Sequence, residues 1–289
     1  MKKTAKAFAK INLSLSITGR RENGYHDLMT VMQSVSLYNT ITAERAEKGI
    51  TLTSDDKNLP TDEKNTAYRA AAFFLDAAKL NETAGLKLHI QKRIPYQAGM
   101  GSASADAAGV LAAANELFGC PLSEKELLAI AAKVGADVPF CLKGGCCLAQ
   151  GIGDVLTPVA PCPDCALLIL HPDKGMSTPE AYRVFDSLID PVQPDVNACL
   201  KALKSGSLEQ VAQSCGNVFE LCCNIEEVFE IKRALKSQNA INACMTGSGT
   251  AVFGIFEDMK AAERAQTALA DKSWKSWLAS PCEKGVIVE

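Results

Sequence analysis

A run of small residues that leads into an alanine-rich segment is the feature that most constrains this fold. The run spans 95–105 (PYQAGMGSASA), and helical spacing continues from it to about Phe118. Small side chains let a backbone approach a ligand closely, and the start of a helix presents unpaired N–H groups and its positive dipole end. The run therefore predicts an anion site, with a tightly packed strand-to-helix turn as the alternative. It lacks the Gly-Lys-Ser/Thr ending of a Walker A loop and does not match Gly-x-Gly-x-x-Gly.

The N-terminal residues 5–17 alternate in polarity. Odd positions carry Ala, Ile or Leu, whereas even positions are mostly polar and include Lys10 and Asn12. This period of two predicts a half-buried β-strand. Lys10 and Asn12 are then expected on its polar face.

The rest of the chain predicts an α+β fold in two units. A proline cluster at Pro158, Pro161 and Pro163 places the boundary between an N-terminal domain, 1–160, and a C-terminal domain, 161–289. Two strands that flank a tight turn at 246–249, with helices on either side in sequence, favour a split α+β sandwich of ferredoxin-like type. Ser123 with Glu126 predicts a capping box before a helix over 127–134. Thr178 followed by proline predicts another helix start.

Composition narrows the class of protein. The 289 residues include 30 Lys+Arg and 33 Asp+Glu, a net charge of −3 that gives no basic footprint for nucleic-acid binding. Lysines interrupt any secretory signal, and no run approaches the roughly 18–20 apolar residues of a membrane span. Most of the twelve cysteines lie in apolar runs, and Cys162-x-x-Cys165 lacks the second pair of a zinc site. We therefore expect a cytoplasmic protein with reduced thiols and neither a nucleic-acid nor a membrane partner.

Two other segments carry candidate chemistry. Asp137 lies between a helix end and an apolar Val-Pro-Phe, where an ionised carboxylate is costly unless it is paired, although it would also suit a local turn. The small-residue turn with Gly247, Ser248 and Gly249 is typical of a hairpin and also permits a ligand loop.

Four segments, 9–13, 19–28, 135–140 and 245–249, carry a resemblance to a known family. In this order they resemble the GHMP small-molecule kinases, which act on galactose, homoserine, mevalonate and phosphomevalonate. The first two segments are similar to one branch, the 4-diphosphocytidyl-2-C-methyl-D-erythritol kinases of the non-mevalonate isoprenoid pathway. The resemblance implies a ribosomal-S5-domain-2-like N-terminal domain, a ferredoxin-like C-terminal domain, and phosphorylation of the acceptor's 2-hydroxyl with ATP and Mg²⁺.

The resemblance also implies roles for individual residues. Asp137 would be the catalytic base, with Lys10 as its electrostatic partner. Residues near ATP would be Asn65, Pro95, Tyr96, Gln97, Ala98, Gly99, Met100, Gly101, Ser102, Ala103, Ser104 and Ala105. Acceptor residues would be Asn12, Tyr25, His26, Thr178, Pro179 and Tyr182, with Tyr25 and Tyr182 on opposite faces of the cytosine and Gly247, Ser248 and Gly249 as a supporting loop. For His26, a loop histidine with structural contacts only is the alternative.

The small-residue run differs from the pattern of this kinase branch at one position. Ala105 replaces a serine usual in the branch, which leaves Ser102 or Ser104 as the hydroxyl for phosphate or Mg²⁺.

Two other interpretations of the whole chain stay open. They are another small-alcohol kinase, of the homoserine or mevalonate class, and a catalytically inactive nucleotide sensor on the same fold. The sequence leaves both monomer and homodimer open.

Overall fold

Twelve strands and nine α-helices make up the chain in a computed structural model that describes all residues, 1–289. The strands are β1 (Lys2–Arg20), β2 (His26–Ala46), β3 (Gly49–Ser54), β4 (Gly85–Gln91), β5 (Cys146–Gly151), β6 (Val155–Pro158), β7 (Ala166–His171), β8 (Gly216–Asn217), β9 (Asn242–Met245), β10 (Val252–Phe256), β11 (Lys275–Ala279) and β12 (Val286–Val288). The helices are α1 (Thr66–Ala77), α2 (Ser102–Leu117), α3 (Glu124–Val134), α4 (Val138–Lys143), α5 (Thr178–Phe185), α6 (Val196–Ser205), α7 (Leu208–Gln213), α8 (Glu226–Ser237) and α9 (Met259–Ala268), with a 3-10 helix at Val218–Cys222. None of the helices is both long and apolar enough to cross a lipid bilayer.

The larger sheet is built on the antiparallel pair β1 and β2. Its main order is β12-β1-β2-β4-β3; β5 pairs with β2 and β6, and β8 pairs with β1. The strand predicted at 5–17 is confirmed, but it is not half-buried, because every residue from 7 to 17 is buried. The turn after β9 covers its polar side, where the Asn12 amide donates to Thr246 Oγ1 at 3.0 Å.

Helix α2 lies in the core above this sheet. Gly109 allows the close approach, since a Cβ at that position would lie 2.8 Å from Ile41 Cγ1 and 3.0 Å from Ala7 Cβ. Helices α1, α3 and α4 pack around α2. The capping box of Ser123 and Glu126 at the start of α3 is confirmed by reciprocal hydrogen bonds.

The smaller sheet is antiparallel, with order β11-β7-β10-β9. The predicted hairpin is its β9–β10 pair, and the α+β class is confirmed. The predicted start of α5 is wrong by one residue: the cap is Ser177, whose hydroxyl accepts the Glu180 amide, so Thr178 and Pro179 lie in the first turn.

The larger sheet includes two strands from beyond the predicted boundary at 160. Strand β12, although near the C-terminus, pairs with β1, as does β8. The division into 1–160 and 161–289 stays a prediction. A consequence for the site is that β1 touches elements from both halves of the chain.

The cysteines are free thiols, most of them buried. Burial raises the pKa of Cys146 to about 12 and that of Cys199 to about 11. A raised pKa keeps these groups as thiols, which are poor nucleophiles.

Candidate active site

A cleft of about 980 Å³ lies where the small-residue run, β1, α5 and the β9–β10 turn meet. Asn65 and Ala105 are the two predicted site residues outside its lining. The predicted residues that line it are Lys10, Asn12, Tyr25, His26, Pro95, Tyr96, Gln97, Ala98, Gly99, Met100, Gly101, Ser102, Ala103, Ser104, Asp137, Thr178, Pro179, Tyr182, Gly247, Ser248 and Gly249.

The small-residue run is partly helical. Helix α2 begins at Ser102, so the last four residues of the run form its first turn. Gly101 caps the helix in the left-handed conformation (φ 71°) without a side-chain hydrogen bond. The first amides of α2 therefore have no capping acceptor, and this end of the helix is suited to bind an anion.

The rest of the run lies directly against the β9–β10 turn. A Cβ on Gly99, where φ is 74°, would lie 2.0 Å from the Thr246 carbonyl oxygen. The Ala251 amide donates to Ala98 O at 3.2 Å, and the Lys10 amide donates to Met100 O at 3.1 Å. Strand β1 and the turn thus support the backbone of the run from behind.

A buried polar cluster holds α2 from the side of the sheet. Lys92 Nζ lies 2.6 Å from Asp106 Oδ2 and donates to Ser102 Oγ at 2.7 Å. Asn39 Nδ2 donates to Asp106 Oδ1 at 2.7 Å. Burial raises the pKa of Asp106, and the ion pair with Lys92 opposes that rise. Ser102, which also donates to Ile94 O at 3.1 Å, is thus committed to the protein interior.

Lys10 and Asp137 meet in the cleft, as the family resemblance implies. Lys10 Nζ lies 3.8 Å from Asp137 Oδ2 and donates to Asn12 Oδ1 at 2.7 Å. The Lys10 side chain is 5% exposed and that of Asp137 is 32% exposed. The carboxylate therefore reaches the cleft while the ammonium group stays largely buried beside it.

Asn12 joins this pair to the β9–β10 turn. Its Oδ1 also accepts the Gly247 amide at 3.0 Å. The turn also contacts α5, because the hydroxyls of Ser248 and Thr178 are 2.9 Å apart. The turn is thus both a hairpin connection and part of the cleft wall.

Aromatic rings form the other end of the cleft. His26 stacks on Tyr182, with ring centroids 4.7 Å apart and planes 18° from parallel. Phe219 meets the Tyr182 ring edge-on at 5.0 Å, and Tyr25 is 60% exposed. Burial, with a smaller contribution from Asp137, raises the pKa of Tyr182 to about 12. The structure thus places His26 against Tyr182, and a ligand held between Tyr25 and Tyr182 stays a prediction.

The two predicted residues outside the lining have other contacts. Asn65 caps α1: its Oδ1 accepts the Ala67 amide at 2.8 Å and its Nδ2 donates to Pro60 O at 2.6 Å. Ala105 is fully buried in α2. Any role of either in nucleotide binding stays a prediction.

Sequence reasoning missed several polar residues that shape the site. The contacts among Lys92, Asn39 and Asp106 join separate segments of the chain. The sequence held one sign of this cluster, the presence of an aspartate, Asp106, inside an alanine-rich helix. Asp186, whose Oδ1 lies 2.6 Å from His26 Nε2, follows Tyr182 by four residues. That spacing places both on one helix face.

Comparisons with known proteins identify the family of this chain. The family described as GHMP kinases N terminal domain matches residues 65–145, and GHMP kinases C terminal matches residues 199–275. The 4-diphosphocytidyl-2-C-methyl-D-erythritol kinase of Clostridium acetobutylicum is 39% identical over 261 residues, which cover 90% of this chain and 92% of that protein. That of Desulfitobacterium hafniense is 41% identical over 284 residues, 97% of this chain and 96% of that one.

Solved structures are similar over nearly the whole chain. A crystal structure of 4-(cytidine 5'-diphospho)-2C-methyl-D-erythritol kinase superposes with a TM-score of 0.82 at 33% identity and covers 97% of this chain and 99% of its own. Homoserine kinase from Cytophaga hutchinsonii has a TM-score of 0.78 at 21% identity, covering 100% and 97%. The latter likeness concerns the fold alone.

Proposed function

The chain belongs to the 4-diphosphocytidyl-2-C-methyl-D-erythritol kinase family, and from this premise we propose that it transfers the γ-phosphoryl group of ATP to the 2-hydroxyl of 4-diphosphocytidyl-2-C-methyl-D-erythritol. The acceptor is an intermediate of the non-mevalonate isoprenoid pathway. The observation that carries the proposal is the Lys10–Asp137 pair, 3.8 Å apart, in the cleft that also contains the uncapped start of α2.

Asp137 is the proton acceptor in this proposal. Its carboxylate takes the proton of the acceptor hydroxyl, and the hydroxyl oxygen forms a bond to the γ-phosphorus. The bond from that phosphorus to the bridging oxygen breaks, and ADP leaves with the electron pair. Phosphoryl transfer of this kind depends mainly on position and electrostatics.

Lys10 supplies the local positive charge. Its ammonium group is held by Asn12 at 2.7 Å and lies beside Asp137, where it stabilises the ionised carboxylate and negative charge on the transferring group. Because its side chain is 5% exposed, water screens this charge weakly. The base and its partner thus act as one unit.

The phosphates of ATP would bind at the start of α2. The free amides of its first turn and the helix dipole attract anions without a lysine-rich surface. This explains how a chain of net charge −3 would bind two polyphosphate substrates. The left-handed Gly99 and Gly101 keep this backbone free of side chains.

The cytosine end of the acceptor would bind at the aromatic end of the cleft. Tyr25, His26 and Tyr182 line it, together with Thr178 and Pro179 of the first turn of α5. Base–aromatic stacking contributes about 1–3 kcal/mol. A small alcohol such as homoserine or mevalonate has no group to use these rings.

Magnesium fits the donors of the cleft. Mg²⁺ prefers oxygen ligands and usually keeps several waters, with one or two carboxylates and substrate phosphates as its other ligands. No group of three or more His, Cys, Asp or Glu side chains is arranged to hold a metal, and Ser102 is committed to Lys92 and Ile94. Of the two candidate serines, Ser104, half-buried in the lining, is thus the one whose hydroxyl would contact Mg²⁺ together with phosphate oxygens. The bound metal would neutralise phosphate charge.

An ADP-release assay tests the proposal. Purified protein is given ATP, Mg²⁺ and, separately, 4-diphosphocytidyl-2-C-methyl-D-erythritol, homoserine and mevalonate. We expect turnover with the first acceptor alone. Turnover of homoserine or mevalonate instead would replace the proposed acceptor, and ADP release with none of them would support a nucleotide sensor.

A further inference from the structure

Asn217 lies outside the cleft lining, yet its side chain contacts the turn that forms part of the cleft wall. It is 5% exposed. Its Nδ2 donates to Met245 O at 2.7 Å and to Gly247 O at 2.8 Å, and its Oδ1 accepts the Phe219 amide at 3.0 Å. A side-chain amide has two N–H donors. Both donors of Asn217 are therefore used on the end of β9 and the turn that follows it.

The two carbonyl groups bracket one peptide unit of the turn. Between them lies the bond from Thr246 to Gly247, and the N–H of Gly247 donates to Asn12 Oδ1 at 3.0 Å. Gly247 has a positive φ of 56°, and a glycine backbone resists rotation only weakly. The two hydrogen bonds from Asn217 therefore fix the direction in which this N–H points.

The same oxygen of Asn12 orients the Lys10–Asp137 pair. It accepts Lys10 Nζ at 2.7 Å, and that nitrogen lies 3.8 Å from Asp137 Oδ2. A continuous chain of contacts thus runs from Asn217 through the turn and Asn12 to Lys10. Loss of the first contacts frees the N–H that holds Asn12, and the ammonium group then loses its fixed place beside the carboxylate.

We propose that Asn217 is a positioning residue for phosphoryl transfer, which sets the place of the Lys10 ammonium group by fixing the Gly247 amide. This role rests on the proposed function, in which Lys10 and Asp137 act on the acceptor hydroxyl. Misplacement by about 1 Å costs reactions of this kind about 100-fold in rate. Because Asn217 does not line the cleft, its loss should lower kcat and leave the KM values for ATP and acceptor within about threefold.

Two variants remove both donors from position 217. Asn217→Asp keeps the shape and can still accept the Phe219 amide, because a carboxylate only accepts hydrogen bonds. Asn217→Ala introduces no buried charge and serves if the first variant fails to fold. We expect kcat to fall about 100-fold in both.

Glu220→Ala is the matched control. Glu220 Oε1 accepts the Met245 amide at 2.9 Å, so this variant loosens the same end of β9 without removing a contact in the chain to Lys10. It should lower the free energy of unfolding in urea and keep kcat within about twofold.

A double-mutant cycle separates positioning from general destabilisation. Asn12→Ala removes the side chain through which Asn217 acts, so Asn217→Ala should lower kcat by less than about threefold in that background. Turnover is measured with whichever acceptor the wild-type protein uses, so a wrong acceptor counts against the proposed function alone. Losses that multiply to about 10⁴-fold in the double variant, or wild-type kcat in Asn217→Ala, would overturn the proposal.

Exchange of the Gly247 amide hydrogen with solvent tests the structural step without turnover. Protein labelled at threonine carbonyl carbons and glycine nitrogens gives NMR signals only for glycines that follow threonine, which are Gly19 and Gly247. Gly19→Ala, where a Cβ meets nothing closer than 3.9 Å, identifies the first signal. We expect the Gly247 amide to exchange at least about tenfold faster in Asn217→Ala than in the wild-type protein or in Glu220→Ala. An unchanged exchange rate in Asn217→Ala would overturn the proposal, even in a protein without turnover.

Discussion

The buried pair of Lys92 and Asp106 gives a stability prediction with a defined sign. The side chains are 10% and 1% exposed, and their charged atoms are 2.6 Å apart. Lys92→Met keeps most of the side-chain volume but leaves a buried carboxylate with Asn39 as its remaining side-chain partner. Breaking a buried pair in this way costs about 3–5 kcal/mol, a large part of a typical unfolding free energy of about 5–15 kcal/mol.

The cost should depend on pH. Burial raises the pKa of Asp106 above its ordinary value, and Lys92 opposes that rise, so Lys92→Met raises the pKa further. An acid whose folded-state pKa exceeds its unfolded value stabilises the fold most below the unfolded pKa, and loses this contribution as pH rises through the folded pKa. The penalty of Lys92→Met is therefore smaller at pH 5 than at pH 8.

Urea unfolding at both pH values measures the penalty. Lys92→Met/Asp106→Asn, which removes the stranded charge, should recover most of the lost stability at pH 8. Lys48→Met breaks an exposed pair with Glu82 and should cost less than about 1 kcal/mol. A Lys92→Met penalty under about 1 kcal/mol at pH 8, or one independent of pH, would refute the reasoning.

Three further predictions concern the cleft and the thiols. Gly99→Ala forces a Cβ to within 2.0 Å of the Thr246 carbonyl oxygen, so it should lower the free energy of unfolding in urea by about 3 kcal/mol or more and remove most of the turnover. The control Gly206→Ala, at positive φ with open space around it, should lower the free energy of unfolding by about 1 kcal/mol and keep turnover. Equal losses of stability in the two variants would contradict the packing argument. Tyr182→Ala should weaken CDP binding by about 10-fold or more with the KM for ATP nearly unchanged, whereas equal loss of both would indicate general destabilisation. Cys162→Ser/Cys165→Ser should leave turnover unchanged, and stoichiometric zinc in the native protein that is lost in this variant would show a metal site.

Local patterns in the sequence predicted local structure well. The Ser123–Glu126 capping box and the strand at 5–17 depend on residues a few positions apart, and both elements are confirmed. The prediction failed on how deeply β1 is buried, because its cover comes from Thr246, 234 residues away. Periodicity reports only which side of a strand is apolar.

The candidate site was also predicted in its local parts and missed in its long-range contacts. Lys10, Asp137 and the small-residue run each lie in a motif that is continuous in sequence and could be recognised, and the structure places all three in one cleft. The groups that orient them were missed, because Asp186 reaches His26 across 160 positions and Asn39 reaches Asp106 across 67. A single sequence carries no local signal for such pairs.

The central claim is that the cleft phosphorylates the cytidylyl acceptor with Asp137 as the base. The most direct test follows the γ-phosphoryl group of labelled ATP in a single turnover, in wild-type protein and in Asp137→Asn, and locates the product phosphate by phosphorus NMR. We predict phosphate on the 2-hydroxyl with the wild-type protein, and a rate about 10²–10⁴-fold lower in Asp137→Asn with CDP affinity within about twofold. Wild-type rates in Asp137→Asn, or phosphate at another position of the acceptor, would contradict the account.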